Sequence, residues 1–234
     1  MTNKLKSLTI GSILGDGYLS KEKNRGNYLT IQHCNRQEEY LQWKAQRFKE
    51  EGAHVSKIYN LPKYNAKKIH IGGGAIKGLE LRHQFYPNGN KTITRHLLNY
   101  LDAEGLAIWF MDDGGKVITH RNGKTCGRYL KISTYSFTYE EHIIMQRYFE
   151  IVWNINVKIK IDKCKYYWLK FPSLEAQKFI EIIKMYIHPT MEYKIDLQFA
   201  NLRSKRQPTK ICDCCKIREA TTAKGMCKYC SLYW

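Results

Sequence analysis

Two acidic residues follow apolar segments of this sequence at matching places. The segment TIGSILGDG, residues 9–17, holds Asp16 between two glycines, and LAIWFMDDG, residues 106–114, contains Asp112 and Asp113. The spacing of apolar residues predicts a helix before each acid. A helix carboxyl end carries negative partial charge, so an aspartate there either caps a turn or binds a cation. Carboxylates beside backbone carbonyls suit Mg²⁺, which assists phosphodiester hydrolysis.

A second group of chemically distinctive residues lies near the end of the sequence. Two Cys-x2-Cys pairs, 11 residues apart, fit tetrahedral Zn²⁺ held by four thiolates: Cys212, Cys215, Cys227 and Cys230. Cys214 is an alternative to the first of them. The segment 211–234 is too short for its own apolar core, so bound metal would supply its folding energy. Disulfides or free thiols are the alternative, which a reducing compartment makes less favourable.

The composition indicates a polyanionic partner. Lys and Arg total 39 against 21 Asp and Glu, a formal net charge of +18. Nucleic acid is the first candidate because each neutralised phosphate releases counterions; a merely solvated basic surface is the alternative. Seventeen tyrosines and five tryptophans exclude a disordered chain. No apolar run reaches the roughly 18 residues of a membrane span, so we expect no membrane partner.

The elements that must position the two acidic segments recur in one order. After each apolar helix the patterns predict two strands, an amphipathic helix, two more strands and a final helix. Asp16 and Asp113 are 97 residues apart, which is the period of this repeat. We therefore divide the chain into a first repeat (1–101), a second repeat (102–202), a basic linker (203–210) and a zinc-binding module (211–234).

TIGSILGDG and LAIWFMDDG resemble the two signature helices of the LAGLIDADG homing endonucleases, in the single-chain form with two repeats. The resemblance covers about residues 1–200. It implies an α+β fold of two pseudo-symmetric αββαββα repeats, whose antiparallel saddle-shaped sheets lie in the DNA major groove. The tail GMCKYCSLYW is similar to small zinc modules of DNA-acting proteins, which would add a small zinc-binding tail with four cysteine ligands.

The resemblance implies how the acidic residues act. Asp16 and Asp113 match the last aspartate of each motif, which would hold Mg²⁺ near the scissile phosphates of the two DNA strands. The backbone carbonyls just before them, at Gly15 and Asp112, would help to hold the metal. The Asp112 side chain stands where the family has a small residue, and it would bind metal or solvent, or cap the helix.

The family also places a basic residue near each site, toward the end of each repeat. Lys91 and Lys194 fit that order and would stabilise phosphate charge or polarise water. The alternative is that both are ordinary solvated or phosphate-contacting lysines. Weaker candidates for the site are Gln32, Asn35 and Lys116. With a large residue at Ile108, close packing of the two signature helices is expected to rest on three small residues: Gly11, Gly15 and Ala107.

Alternating basic and polar residues in the predicted strands suit sheet faces that meet DNA. The residues expected to contact double-stranded DNA are Lys21, Lys23, Arg25, Gln32, Lys67, Lys68, Lys116, Arg121, Lys124, Arg128, Lys131, Lys158, Lys160 and Lys165. Two repeats already supply the symmetry of the site, so we expect a monomer. The expected location is the cytoplasm, or wherever the host genome lies. A catalytically silent DNA- or RNA-binding protein of this fold, such as an intron maturase or regulator, is the alternative function.

Overall fold

The computed structural model describes residues 2–22, 26–72, 81–162 and 165–197, with the backbone alone for residues 21, 22, 26 and 27. The part up to Leu197 packs as one compact unit. The predicted linker and all four predicted zinc ligands lie outside the described residues, as do Lys23 and Arg25. None of the described helices is long and apolar enough to cross a bilayer.

The first repeat is a helix followed by an antiparallel sheet with strand order β1-β2-β5-β3, in which β4 also pairs with β5. Its elements are α1 (Asn3–Leu14), β1 (Gly17–Glu22), β2 (Gly26–Cys34), α2 (Glu38–Glu50), β3 (His54–Val55), β4 (Tyr59–Leu61), β5 (Ala66–Gly72), α3 (Leu81–Phe85) and α4 (Arg95–Leu98). Three strands follow α2 where two were expected. The expected first strand is divided into β3 and β4, because the three residues 56–58 lie opposite only two residues of β5, Ile69 and His70.

The second repeat has the predicted order of helices and strands and a four-stranded antiparallel sheet, β6-β7-β9-β8. Its elements are α5 (Ala103–Asp113), β6 (Gly114–Arg121), β7 (Lys124–Ile132), α6 (Tyr139–Trp153), β8 (Lys158–Asp162), β9 (Tyr166–Phe171) and α7 (Ser173–Ile183). A 3-10 segment, Pro189–Lys194, ends the described part of the repeat. The predicted α+β class with helices and antiparallel sheets is confirmed.

The helices α1 and α5 pack against each other at the centre of the unit. A Cβ atom added at Gly11 would lie 2.3 Å from the carbonyl oxygen of Gly105, and one added at Gly15 would lie 2.4 Å from Asp112 Cβ. Gly11 of α1 and Gly15, which follows its last residue, therefore allow the close approach that the sequence predicted. On α5 the residue that meets Gly11 is Gly105, which the sequence analysis did not single out.

Gly11→Ala is expected to lower the free energy of unfolding by about 1–3 kcal/mol, since its methyl group would collide with backbone that cannot move aside. Urea denaturation followed by circular dichroism measures this change. Gly115→Ala is the matched control, because a Cβ there meets no atom within 4 Å. Equal stability of the two variants would contradict the proposed close packing of α1 and α5.

Candidate active site

The ends of α1 and α5 bring the predicted acidic residues together. Gly15 ends α1 by donating its N–H to the Gly11 carbonyl, and the next residue is Asp16. The backbone N–H of Asp16 donates to Asp112 Oδ2 on α5 at 3.3 Å. Asp113 is the last residue of α5. Two acids that are 97 residues apart in the sequence thus lie at one place in the fold.

The acids at this place repel one another in a partly dehydrated environment. Burial raises the pKa of Asp113 to about 7, and the charges of Asp16 and Asp112 add to that rise. Burial also raises the pKa of Asp16, again with a contribution from Asp112. The raised pKa values show that the negative charges of these carboxylates are not fully compensated by the protein. A hard divalent cation, which binds carboxylate oxygens, would supply the missing positive charge.

Two lysines occupy equivalent places beside the helix ends. Lys91 Nζ donates to the carbonyl oxygens of Leu14 and Gly15, at 3.1 and 3.4 Å. Lys194 Nζ donates to the carbonyl oxygens of Met111 and Asp112, the latter at 3.1 Å. Burial lowers the pKa of each lysine, and the neighbouring aspartates oppose that shift. Each lysine thus places a cation at the negative end of one signature helix.

The side chain of Asp112 is bound inside the protein. It is fully buried, as is Lys44 of α2, and Lys44 Nζ lies 2.6 and 2.7 Å from its two carboxylate oxygens. The hydroxyl of Tyr40 donates to Asp112 Oδ1 at 2.9 Å. The pair joins α2 of the first repeat to α5 of the second, so it also ties the repeats together.

His33 at the end of β2 completes this cluster. Its side chain is 1% exposed, with Nδ1 3.4 Å from Asp16 Oδ2 and Nε2 3.3 Å from Lys44 Nζ. Burial and the charge of Lys44 lower the pKa of His33 to about 3, so the ring is neutral. Of the weaker candidates nearby, Gln32 is exposed on the sheet and Asn35 donates to Asn65.

Sequence reasoning missed His33 and Lys44, although a signal for each was present. His33 continues the inward alternation of Leu29 and Ile31 along β2, so a polar ring there needed a partner. Lys44 lies in the buried stripe of α2, with Ala45 and Phe48 close by. A lysine on the apolar face of a helix is almost always paired.

The first sheet presents hydrogen-bonding side chains on the face that α2 does not cover. Leu29, Ile31, Ile69 and Ile71 alternate toward the core, so strand parity places the residues between them on the outer face. Thr30 and His70 pair there at 3.0 Å. The other outer residues of this sheet include Tyr18, Ser20, Tyr28, Gln32, Tyr59 and Lys68.

The second sheet presents lysines packed on aromatic rings. Leu130, Ile132, Leu169 and Phe171 face α6 and α7, which leaves Tyr129, Lys131, Trp168 and Lys170 on the outer face together with Lys158 and Lys160. The rings of Tyr129 and Trp168 are stacked, with centroids 6.2 Å apart. The Nζ of Lys170 lies 4.0 Å from the centroid of Tyr129, and that of Lys131 lies 4.9 Å from Trp168.

The structure divides the residues expected to contact DNA. Gln32, Lys68, Lys131, Lys158 and Lys160 lie on the outer faces, and Arg121, Lys124 and Lys165 lie at exposed hairpin ends. The alternation of side chains along the strands instead places three residues on the side of the helices: Lys67, Lys116 and Arg128. Lys67 forms an ion pair with Glu38 of α2, and Lys116 donates to the Asp196 carbonyl at 2.8 Å. Lys21 belongs to β1, where only its backbone is described.

Comparison with known proteins gives a consistent set of relatives. The profile of the LAGLIDADG DNA endonuclease family matches residues 6–179. A probable intron-encoded endonuclease 1 of Wickerhamomyces canadensis is 32% identical over 199 residues, which cover 80% of this chain and 81% of the relative. A cytochrome b mRNA maturase bI2 of Debaryomyces hansenii is 25% identical over 209 residues, 83% of this chain and 74% of the relative.

One solved structure adds the fold to this comparison. The homing endonuclease I-WcaI, bound to its DNA recognition sequence, matches with a TM-score of 0.65 and 28% identity. The match covers 83% of this chain and 86% of that one.

Proposed function

Because this chain belongs to the LAGLIDADG DNA endonuclease family, we propose that it is a sequence-specific, Mg²⁺-dependent endonuclease that cuts both strands of a DNA target. The observation that best supports this proposal is the meeting of Asp16 and Asp113 at the ends of two packed helices, each end flanked by a half-buried lysine. A DNA-binding protein without activity would need neither the crowded carboxylates nor the strain they cause.

The side chains divide the catalytic work. We assign the carboxylates of Asp16 and Asp113 to metal binding, together with the carbonyl oxygens of Gly15 and Asp112. Those carbonyls accept hydrogen bonds from Lys91 and Lys194, but an oxygen with two lone pairs can also face a cation. Bound Mg²⁺ would lower the pKa of a water and stabilise the charge on the leaving oxygen.

The two lysines have a second role in this proposal. Lys91 and Lys194 are held at the helix ends by hydrogen bonds to backbone carbonyls, and we propose that the scissile phosphates bind beside their ammonium groups. Fixed positive charge stabilises an oxyanion more in a partly dehydrated site than in water, because little solvent screens it. We therefore assign both lysines to stabilisation of the charge that develops on the phosphate.

The outer faces of the two sheets are proposed to lie against the DNA. I-WcaI was solved with its DNA target, and we extend that binding mode to this chain. The first sheet offers amides, hydroxyls and rings that can contact base edges, whereas the lysines of the second suit phosphates. We propose that the protein acts as a monomer wherever its host genome lies, and that the cysteine tail binds structural Zn²⁺.

The function is tested by offering the full chain a randomised DNA library with Mg²⁺ and sequencing the ends produced. We expect double-strand cuts at one long target, lost on addition of EDTA and lost in Asp16→Asn. Tight DNA binding with no cleavage of any target would overturn the nuclease function.

An RNA maturase is the second candidate, because the bI2 relative is a maturase. It is distinguished by splicing of a cognate intron RNA with the Asp16→Asn variant. If Asp16→Asn abolished DNA cleavage but left splicing intact, the chain would have both activities. Splicing without any DNA cleavage by the wild type would favour the maturase alone.

The lysines of the second sheet are expected to govern the salt dependence of DNA binding. Replacing Lys158 and Lys160 by Gln should make the slope of log K against log salt less negative by about 2, roughly 0.9 for each lost phosphate contact. Fluorescence anisotropy at several salt concentrations measures the slope. The control is Lys178→Gln, a change on α7 to a lysine paired with Glu175. An unchanged slope in the double variant would show that Lys158 and Lys160 do not contact DNA phosphates.

A further inference from the structure

The two halves of the site differ in their buried side chains. Ile31 of β2 pairs with Gly17, which follows Asp16, and Ile132 of β7 pairs with Gly114, which follows Asp113. His33 is two residues beyond Ile31, so its equivalent in the second repeat is Thr134.

The same alignment extends to the helices. Lys44 is 11 residues beyond His33, so its equivalent is Met145, which is also fully buried. Across the interface, the residue before the proposed metal-binding aspartate is Asp112 in one half and Gly15 in the other. The charged pair Lys44–Asp112 in one half of the site therefore corresponds to Met145 and Gly15 in the other half.

The hydrogen bonds of Lys44 determine which nitrogen of His33 carries the proton. An ammonium group only donates, so the contact of Lys44 Nζ with Nε2 at 3.3 Å requires a lone pair on Nε2. With the lone pair on Nε2, the proton of the ring is on Nδ1. That nitrogen is buried, has no hydrogen-bond partner among the described residues, and lies 3.4 Å from Asp16 Oδ2. A small rotation of the Asp16 carboxylate, whose side chain is 41% exposed, would complete the hydrogen bond.

The position of this proton also determines what the cluster can bind. Asp16, His33 and Asp112 each offer a ligand atom within 4.8 Å of the others, which is close enough for a shared metal ion. Both oxygens of Asp112, however, are bound by Lys44, and a protonated Nδ1 has no lone pair to give. The geometry therefore suits a support for the ligand Asp16 better than a metal site of three ligands.

We propose that Lys44 and His33 are positioning residues that orient the Asp16 carboxylate toward its metal, and that Asp113 has no equivalent support. Lys44 fixes the ring of His33, and His33 donates to Asp16, which is how outer residues commonly orient metal ligands. The consequence is two unequal metal sites. The part of the proposal that concerns unequal cutting of the two DNA strands rests on the proposed nuclease function; the metal-binding part does not.

The test is a titration of the full chain with Mn²⁺ alone, in which the concentration of free Mn²⁺ is measured by EPR. His33→Ala should weaken one of two classes of Mn²⁺ site by about 10- to 100-fold and leave the other unchanged. His33→Asn should restore most of that affinity, since its amide nitrogen can donate from the place of Nδ1. Lys44→Met combined with Asp112→Ala should weaken the same class, and this pair of changes leaves no unpaired buried charge.

His142→Ala is the matched control, because it removes another buried histidine, one bonded to Thr134 and Thr138 in the second repeat. It should lower the melting temperature and leave both classes of Mn²⁺ site unchanged. Equal weakening of both classes by His33→Ala, or no weakening, would overturn the proposal. So would ¹⁴N coupling between His33 and bound Mn²⁺, since that would make His33 a ligand.

Strand-resolved cleavage is the second measurement. With a target available, His33→Ala should slow the cut of one strand relative to the other, whereas His142→Ala should slow neither selectively. If the wild type cuts no DNA, the proposed nuclease function fails, and the Mn²⁺ titration still decides whether His33 supports Asp16.

Discussion

Asp113→Asn is expected to stop cleavage of one DNA strand and, at pH 8 without metal, to raise the free energy of unfolding. The pKa of Asp113 is about 7 in the fold, against about 4 in the unfolded chain. Between these values the folded state binds more protons than the unfolded state, so stability falls as pH rises from 4 to 7. Asparagine carries no charge and removes this loss. With allowance for solvent near the site, we expect a gain of about 2 kcal/mol.

The measurement is urea denaturation in EDTA at several pH values. Wild type should lose stability across this range, and Asp113→Asn should show a flatter profile. Added Mg²⁺ should stabilise wild type, because a ligand of the folded state raises its stability, and it should stabilise the variant less. Asp162→Asn, at an exposed aspartate that ends β8, is the control for loss of one negative charge. A variant less stable than wild type at pH 8 would show that the carboxylates are not strained.

Lys44→Met is expected to lower the free energy of unfolding by about 3–5 kcal/mol, because it leaves the buried charge of Asp112 without an opposite charge beside it. Asp112→Ala should lower the free energy of unfolding by a similar amount, since it leaves the buried ammonium of Lys44 without a carboxylate. The double variant should be far more stable than the sum of these losses predicts, because a buried ion pair is often replaced by apolar groups at little cost. The other half of the site already has Met145 and Gly15 at the equivalent places.

A double-mutant cycle in urea measures this coupling. The control cycle uses Lys178 and Glu175, an ion pair on the surface of α7 with an Nζ–Oε1 distance of 3.1 Å. A surface pair of this kind should give a coupling below about 1 kcal/mol. If the stability losses of Lys44→Met and Asp112→Ala simply added in the double variant, the two side chains would not interact, and the pair would not join the two repeats as the structure indicates.

The placement of lysines on the sheets shows where sequence reasoning fails. Lys67 and Lys68 are adjacent in the sequence and were predicted to have one role. In β5 they point to opposite sides, so Lys67 pairs with Glu38 and Lys68 lies on the outer face. The period of a strand is two, and an error of one residue in register exchanges the faces. The register is set by pairing with β2, which composition does not reveal.

The sequence by itself determined the main helices, most of the strands and the two aspartates of the candidate site. Helix ends and strand alternation depend on neighbouring residues, and the recurrence of the same local pattern 97 residues later identifies Asp16 and Asp113. Only the tertiary structure decided the partner of Asp112, which binds Lys44 in another repeat, and the place of His33 beside Asp16. Those contacts join residues far apart in the chain, and burial makes them strong because little water screens the charges.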